Sequence, residues 1–330
     1  MEQIIKGEDG FLFVGKESNR YTEFLLGNLV PFPADLDRLI ACHLTRFHFC
    51  KNLGIRYFWI LVPSKERILS HLLPADLRPR MLPNNAPIHA LLGRAFDLGL
   101  HRDFASFFID LSDALRQLST DGDRFHRTDT HWTHRGAWSA YQHIIQRLND
   151  GTLGACVATP RIQDAKQQGD LGRLADLGPE PIRHFSNPAF SSEQQVVFSN
   201  EVVNNGGLQI IEGTSGWRPK ALILRSSSFD YFKDFFLTHF SRSMTIFGPE
   251  LRPELLMHEK PDYVFHFQQE RYMLRPPQDT SSTFVTKYLA EKGNIDDFRN
   301  RVEDFVGTGG YFLRQKSAGA TLHLFRSGQI

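Results

Sequence analysis

Tyr57-Phe58-Trp59-Ile60-Leu61-Val62-Pro63 is a continuous apolar run closed by a proline. With no polar residue alternating through it, the run reads as a strand buried on both faces, the kind found in parallel sheets covered by helices. Just upstream, Leu36, Leu39, Ile40, Leu44 and Phe47 recur at helical spacing between Ala34 and Asn52, and Gly54 supplies the stop. The alternation continues: Pro87 to Leu98 reads as helix, Ser106 to Asp110 as strand, Leu111 to Leu118 as helix. Trp138, Tyr141, Ile144, Ile145 and Leu148 form a further helical stripe. After residue 220 come a strand at Ala221 to Leu224, a Phe-rich helix from Asp230 to Phe240, and strands at Met244 to Phe247 and Tyr263 to Phe267. A helix from Thr283 to Lys292 follows. Strand–helix alternation of this kind defines an α/β fold with a mostly parallel sheet flanked by helices.

The rest of the chain fits around that sheet. Gly7 to Gly15 reads as turn, short strand and turn. The stretch of about 150–220 is rich in Gly, Gln, Asn and Pro, and its strands, Val196 to Phe198 and Leu208 to Ile211, are short. It is expected to be an inserted lobe of short strands and loops within a single domain of 330 residues. About 295–330 is expected to add a C-terminal helix and a hairpin, with strands at Tyr311 to Arg314 and Thr321 to Phe325.

Composition narrows the function. The formal charge is +1 and 41% of residues are apolar, so a core can form but no basic footprint for nucleic acid is present. Of the three cysteines, Cys42 and Cys50 fall on one helix roughly 12 Å apart, too far for a disulfide. Cys156 has no partner by spacing. Met1 to Gly7 has neither a basic n-region nor an apolar h-region, and no run is long enough to span a membrane. The expectation is a cytoplasmic protein; the alternative is the periplasm, if an export segment has been removed.

The chemistry concentrates in Asp129-Thr130-His131-Trp132 and Ser226-Ser227-Ser228. If Asp129 to Trp132 is extended, its alternate side chains share a face and the carboxylate meets the imidazole. Such a pair makes a general base, because the carboxylate holds the ring tautomer. A serine in the turn after the strand Ala221 to Leu224 suits a nucleophile beside backbone N–H donors. Taken alone, each motif is more often a helix cap, since Asp, Thr and Ser are preferred cap residues. His126, His131, His134 and Asp129 are close in sequence, but no second ligand cluster accompanies them, so no metal is expected. Glu270-Arg271-Tyr272 follows the strand Tyr263 to Phe267, either at a ligand crevice or as a solvated ion pair.

Several segments together resemble the SGNH-hydrolase-like acetyltransferase family, the alginate O-acetyltransferase type. Asp129-Thr130-His131-Trp132 with Gly136-Ala137 is similar to its signature. Gly7 to Phe13, Pro63-Ser64-Lys65, Leu73-Pro74, Gly169-Asp170-Leu171, and Pro261-Asp262 through Glu270-Arg271-Tyr272 resemble other family segments in the same order. The resemblance implies an SGNH, flavodoxin-like sheet and a Ser-His-Asp triad. Aligning Phe229 with the family's aromatic residue makes Ser228 the nucleophile, His131 the base and Asp129 its orienter. Ser226 then stands where the family has glycine, a residue freer to adopt turn geometries, and Ser227 where it has aspartate or threonine. Ser227, Arg271 and Trp132 are the expected substrate or oxyanion contacts.

The implied activity is transfer of an acyl group, most directly acetyl, to a carbohydrate or polysaccharide hydroxyl. Its alternatives are a carbohydrate acetylesterase and a catalytically silent glycan-binding relative. No cofactor is expected. The acyl donor is open, a membrane acyltransferase partner being one source. The family setting is periplasmic.

Overall fold

The described residues of the computed structural model are 3–148, 153–155, 159–277 and 279, with the backbone of 311–316 and 321–326. The apolar run Tyr57 to Val62 lies in β3 (Arg56–Val62), and all of its residues are buried. Trp59, Ile60 and Leu61 are fully enclosed, each contributing about 1.5–3 kcal/mol by leaving water. It lies between β4 (Phe108–Asp110) and β11 (Tyr263–Gln269), and β9 (Lys220–Arg225) and β10 (Arg242–Phe247) continue the sheet beyond β11. Before β3, β1 (Ile4–Lys6) and β2 (Leu12–Val14) pair as a separate hairpin.

The segment of about 150–220 divides in two. β5 (Arg161–Gln167) and β6 (Glu180–Ser186) form an antiparallel hairpin outside the main sheet, the expected lobe. β7 (Gln194–Ser199) and β8 (Leu208–Gly213) instead extend the main sheet, β8 running antiparallel to β10. The reason is apolar: Leu208, Ile210 and Ile211 on β8 are buried. The main sheet has the order β4-β3-β11-β9-β10-β8-β7, parallel from β4 to β10.

The helix Pro33–Asn52 starts with proline at its first position, where the missing N–H is no loss. It buries Leu36, Leu39 and Ile40, and also His43 and Arg46. Gly54, at φ 74°, ends it in the left-handed conformation glycine adopts readily. Ser106 and Phe107, expected to begin β4, instead close the helix His101–Phe107.

The Phe-rich segment is not one helix. It breaks into a 3-10 turn Ser227–Tyr231, a helical turn Lys233–Phe236 and a second 3-10 turn Leu237–His239. Phe229, Phe232 and Phe235 are spaced by three and all buried, a period that suits 3-10 more closely than α geometry. Phe229 and Phe232 meet Phe267 of β11 at ring separations of 4.9 and 5.5 Å.

β12 (Tyr311–Lys316) and β13 (Thr321–Arg326) pair antiparallel, as expected. The helices expected at Thr283 to Lys292 and after residue 295, and Cys156, lie outside the described residues. Cys42 and Cys50 are free thiols. Among the described residues, no helix is long and apolar enough to cross a membrane.

Candidate active site

Asp129 to His131 is a bend, not an extended strand. The carboxylate and imidazole meet by a different route. Asp129 Oδ1 accepts the His131 backbone N–H at 2.9 Å and the His131 Nδ1–H at 2.6 Å. An aspartate binding a backbone N–H two residues on is an Asx turn, and here the same oxygen also takes the ring. Burial pushes the Asp129 carboxyl up, but the His131 side chain and the N–H groups of His131 and Asp170 outweigh it and hold the group far below the usual carboxylate range. Asp129 therefore stays ionised, and Nδ1 of His131 is the protonated nitrogen that faces it.

That leaves Nε2 as the acceptor. It lies 2.6 Å from Ser227 Oγ. The pairing of Ser228 with His131 therefore needs correcting. Ser228 is buried, and its Oγ accepts from Gln269 Nε2 at 2.7 Å. The turn's register is one residue earlier than the alignment on Phe229 suggests, because Phe229 is fixed by packing on Phe267, not by the serine that meets His131. Ser226, before the turn, has φ −110° and ψ 176°. That is ordinary extended backbone, so serine replaces glycine there without strain.

Trp132, expected at the substrate, is instead fully buried. Its Nε1–H donates to the Ser228 carbonyl at 3.0 Å, which ties the Asp/His loop to the serine turn. Arg271 does not border the cavity that Ser227 opens onto. It lies over the Tyr272 ring, with Nη2 3.5 Å from Thr130 Oγ1. Glu270 is neither solvated nor paired with its neighbour. It is buried, and its Oε2 accepts from Arg67 Nε at 2.8 Å and from the Ser64 N–H at 3.0 Å.

Two residues of the family-like segments, Lys65 and Asp170, fix the loop. Lys65 is buried, with Nζ at 2.7 Å from the carbonyl oxygen of Leu12 and at 2.6, 2.9 and 3.0 Å from those of His126, Arg127 and Asp129. Burial brings its pKa down to about 8. Asp170 accepts from the Thr130 N–H at 2.8 Å and from Thr130 Oγ1 at 2.5 Å, while its own N–H donates to Asp129 Oδ2. The preceding residue must be glycine: a Cβ on Gly169 would sit 2.1 Å from the Thr128 carbonyl oxygen. From the lobe, Gln167 donates to the hydroxyl of Tyr231, whose ring stacks on His131 at 5.5 Å.

Ligand atoms of Asp129, His131 and Asp170 lie within 4.8 Å of one another. Both carboxylates are already occupied by N–H and O–H donors, so a metal there would have to displace the hydrogen bonds that shape the loop. His126 and His134 do not join this group. The His134 ring meets His184 of the lobe edge-on at 4.2 Å.

Ser227 and His131 open onto a cavity of about 500 Å³ at the C-terminal ends of β9, β10 and β11, where open α/β sheets hold their ligands. Asn204, Asn205, His266 and Gln269 also border it. No sequence signal pointed to these four.

A parallel sheet with this Asp-His-Ser arrangement defines an SGNH-like α/β protein. The sequence model of the family described as SGNH hydrolase-like domain, acetyltransferase AlgX, matches residues 4–205, and the chain belongs to that family. Among solved structures it is similar to Bacillus cereus PatB1 at 15% identity and TM-score 0.61, covering 83% of this chain and 100% of that one. It is also similar to the O-acetyltransferase domain of Pseudomonas putida AlgJ at 18% and 0.52, covering 88% and 99%. Pseudomonas aeruginosa AlgX is similar at 14% and 0.51, covering 82% of this chain and 63% of that one. No curated protein matches the chain.

Proposed function

We propose that this acetyltransferase-family protein moves an acyl group, most directly acetyl, onto a carbohydrate hydroxyl through Ser227, His131 and Asp129. The observation that carries the reading is the 2.6 Å contact of His131 Nε2 with Ser227 Oγ, backed by Asp129 on Nδ1 and facing the cavity. His131 takes the Ser227 proton as Oγ attacks the donor ester, and the alkoxide leaves with that proton. Donors available on the cavity wall for the developing oxyanion are the Ser227 N–H and the Asn204 and Asn205 amides. A sugar hydroxyl then attacks the acyl-enzyme, with His131 as base again. Asp129 keeps the imidazolium oriented throughout and remains a carboxylate.

If water takes the acyl group, the same residues make a carbohydrate esterase. A catalytically silent relative would be favoured by a turn distorted where serine stands for the family's glycine, and the extended backbone at Ser226 carries no such distortion. Family membership favours the periplasm over the cytoplasm expected from Met1 to Gly7, and favours a polysaccharide acceptor supplied by a separate acyl donor. Cell fractionation tests the location. For the activity, 4-nitrophenyl acetate is incubated with neutral, amino-sugar and uronic-acid tetrasaccharides. Acetylated sugar from the wild type and none from Ser227→Ala is expected. Acetate as the only product with every sugar would favour the esterase.

A further inference from the structure

One polar group on the cavity wall has no part in the proposed chemistry. His266 of β11 is 1% exposed, and it borders the same cavity as Ser227. Its Nδ1 lies 3.1 Å from Arg46 Nη1. A guanidinium carries only donors, so Nδ1 must accept and the ring proton must sit on Nε2. Arg46 cannot turn away. Its Nε is 2.8 Å from Asp279 Oδ2 and its Nη2 is 2.6 Å from the Pro249 carbonyl. His43 stacks against His266 at 5.5 Å and is itself held by the Tyr57 hydroxyl at 2.7 Å. Burial, and then the Arg46 charge, push the His266 pKa well down, so the ring stays neutral. Among the described residues, Nε2 has no hydrogen-bond partner.

We propose that His266 is a substrate-positioning residue: Arg46 fixes its tautomer, and its Nε2–H donates to an acceptor oxygen of the sugar that receives the acyl group. This rests on the acyl-transfer reading of Ser227. His266 pairs in register with Leu224, the third residue before Ser227, so it lies roughly 10 Å back along the strands at 3.3 Å per residue. That is too far for contact with the reacting carbon and right for a more distant part of the acceptor. A buried donor left without a partner is costly, so water or a ligand oxygen must take it.

Nitrogen-15 NMR of the wild type reads the tautomer without any substitution. Nδ1 unprotonated and Nε2 protonated is expected; a ring protonated on Nδ1 would overturn the proposal. Kinetics with 4-nitrophenyl acetate and the three tetrasaccharides read the role. His266→Phe is expected to raise the acceptor KM about tenfold with kcat within about twofold. His266→Gln, whose amide N–H reaches close to the Nε2 position, is expected to restore most of the KM. Equal acceptor KM in all three proteins would overturn the proposal. So would a wild type that uses none of the sugars while Ser227 still takes a fluorophosphonate. No fluorophosphonate adduct on Ser227 would strike the acyl-transfer reading instead.

Discussion

The loop that carries Asp129 and His131 is fixed by charge, whereas the turn that carries Ser227 is fixed by aromatic packing and neutral amides. In the loop, the Lys65 ammonium gathers the carbonyl groups of His126, Arg127 and Asp129 and one from β2, and the Asp170 carboxylate holds Thr130. In the turn, Phe229 packs on Phe267, Trp132 holds the Ser228 carbonyl and Gln269 holds the Ser228 hydroxyl. The two meet at the His131 to Ser227 hydrogen bond and at the Trp132 bond to the Ser228 carbonyl. Damage to the loop should therefore spread into stability and respond to pH. Damage to the turn should fall on reactivity and leave the fold nearly intact.

Ser227→Ala is the sharpest break on the turn side. It should lower the deacylation-coupled rate by about 10⁴-fold or more, as loss of a nucleophile does, while Ser228→Ala stays within about tenfold because it loses only one buried neutral hydrogen bond. Steady-state rates on 4-nitrophenyl acetate measure both. Asp129→Asn, on the loop side, should cost about 10²–10⁴-fold by offering the wrong donor pattern to Nδ1. Because the folded Asp129 carboxyl titrates below its unfolded value, its stabilisation is complete above about pH 3.9 and fades as pH falls through the lower folded value. Urea midpoints of wild type and Asp129→Asn should therefore differ at pH 6 and converge toward pH 2.

Lys65→Met tests the loop's charge frame. It leaves buried carbonyl oxygens without a donor and should destabilise the protein by about 3 kcal/mol or more, read by urea unfolding. The smallest effect belongs to His134. Burial, then His184 and His126, bring its pKa down to about 4. Stability from the neutral ring is full above the unfolded value of 6.5 and is lost as pH falls toward 4. The melting temperature should drop over that window, and His134→Phe should drop less by about 2–5 °C. Equal slopes would remove His134 from the account.

Much of the fold was legible because its strands are uniformly apolar. β3, β9, β10 and β11 read directly from their runs, and β8 joins the sheet through Leu208, Ile210 and Ile211. β5 and β6 escaped notice because Arg161 to Lys166 are all exposed, so no apolar pattern marks them. At the site, Asp129 and His131 stood out by spacing, although an Asx turn and not a strand brings them together. Ser227 and Ser228 are identical letters. Which one faces His131 depends on the 3-10 turn after Ser226, and no periodicity encodes that. Lys65 and Gln269 act at long range, 64 and 41 residues away from Asp129 and Ser228, so only folding shows what they touch.

The central claim is that the hydroxyl within reach of His131 belongs to Ser227. Labelling the wild type with a fluorophosphonate and locating the adduct by fragment-ion mass spectrometry tests it most directly. The account predicts an adduct on Ser227, its formation abolished by His131→Ala. An adduct on Ser228, or equal labelling after Ser227→Ala, would contradict it.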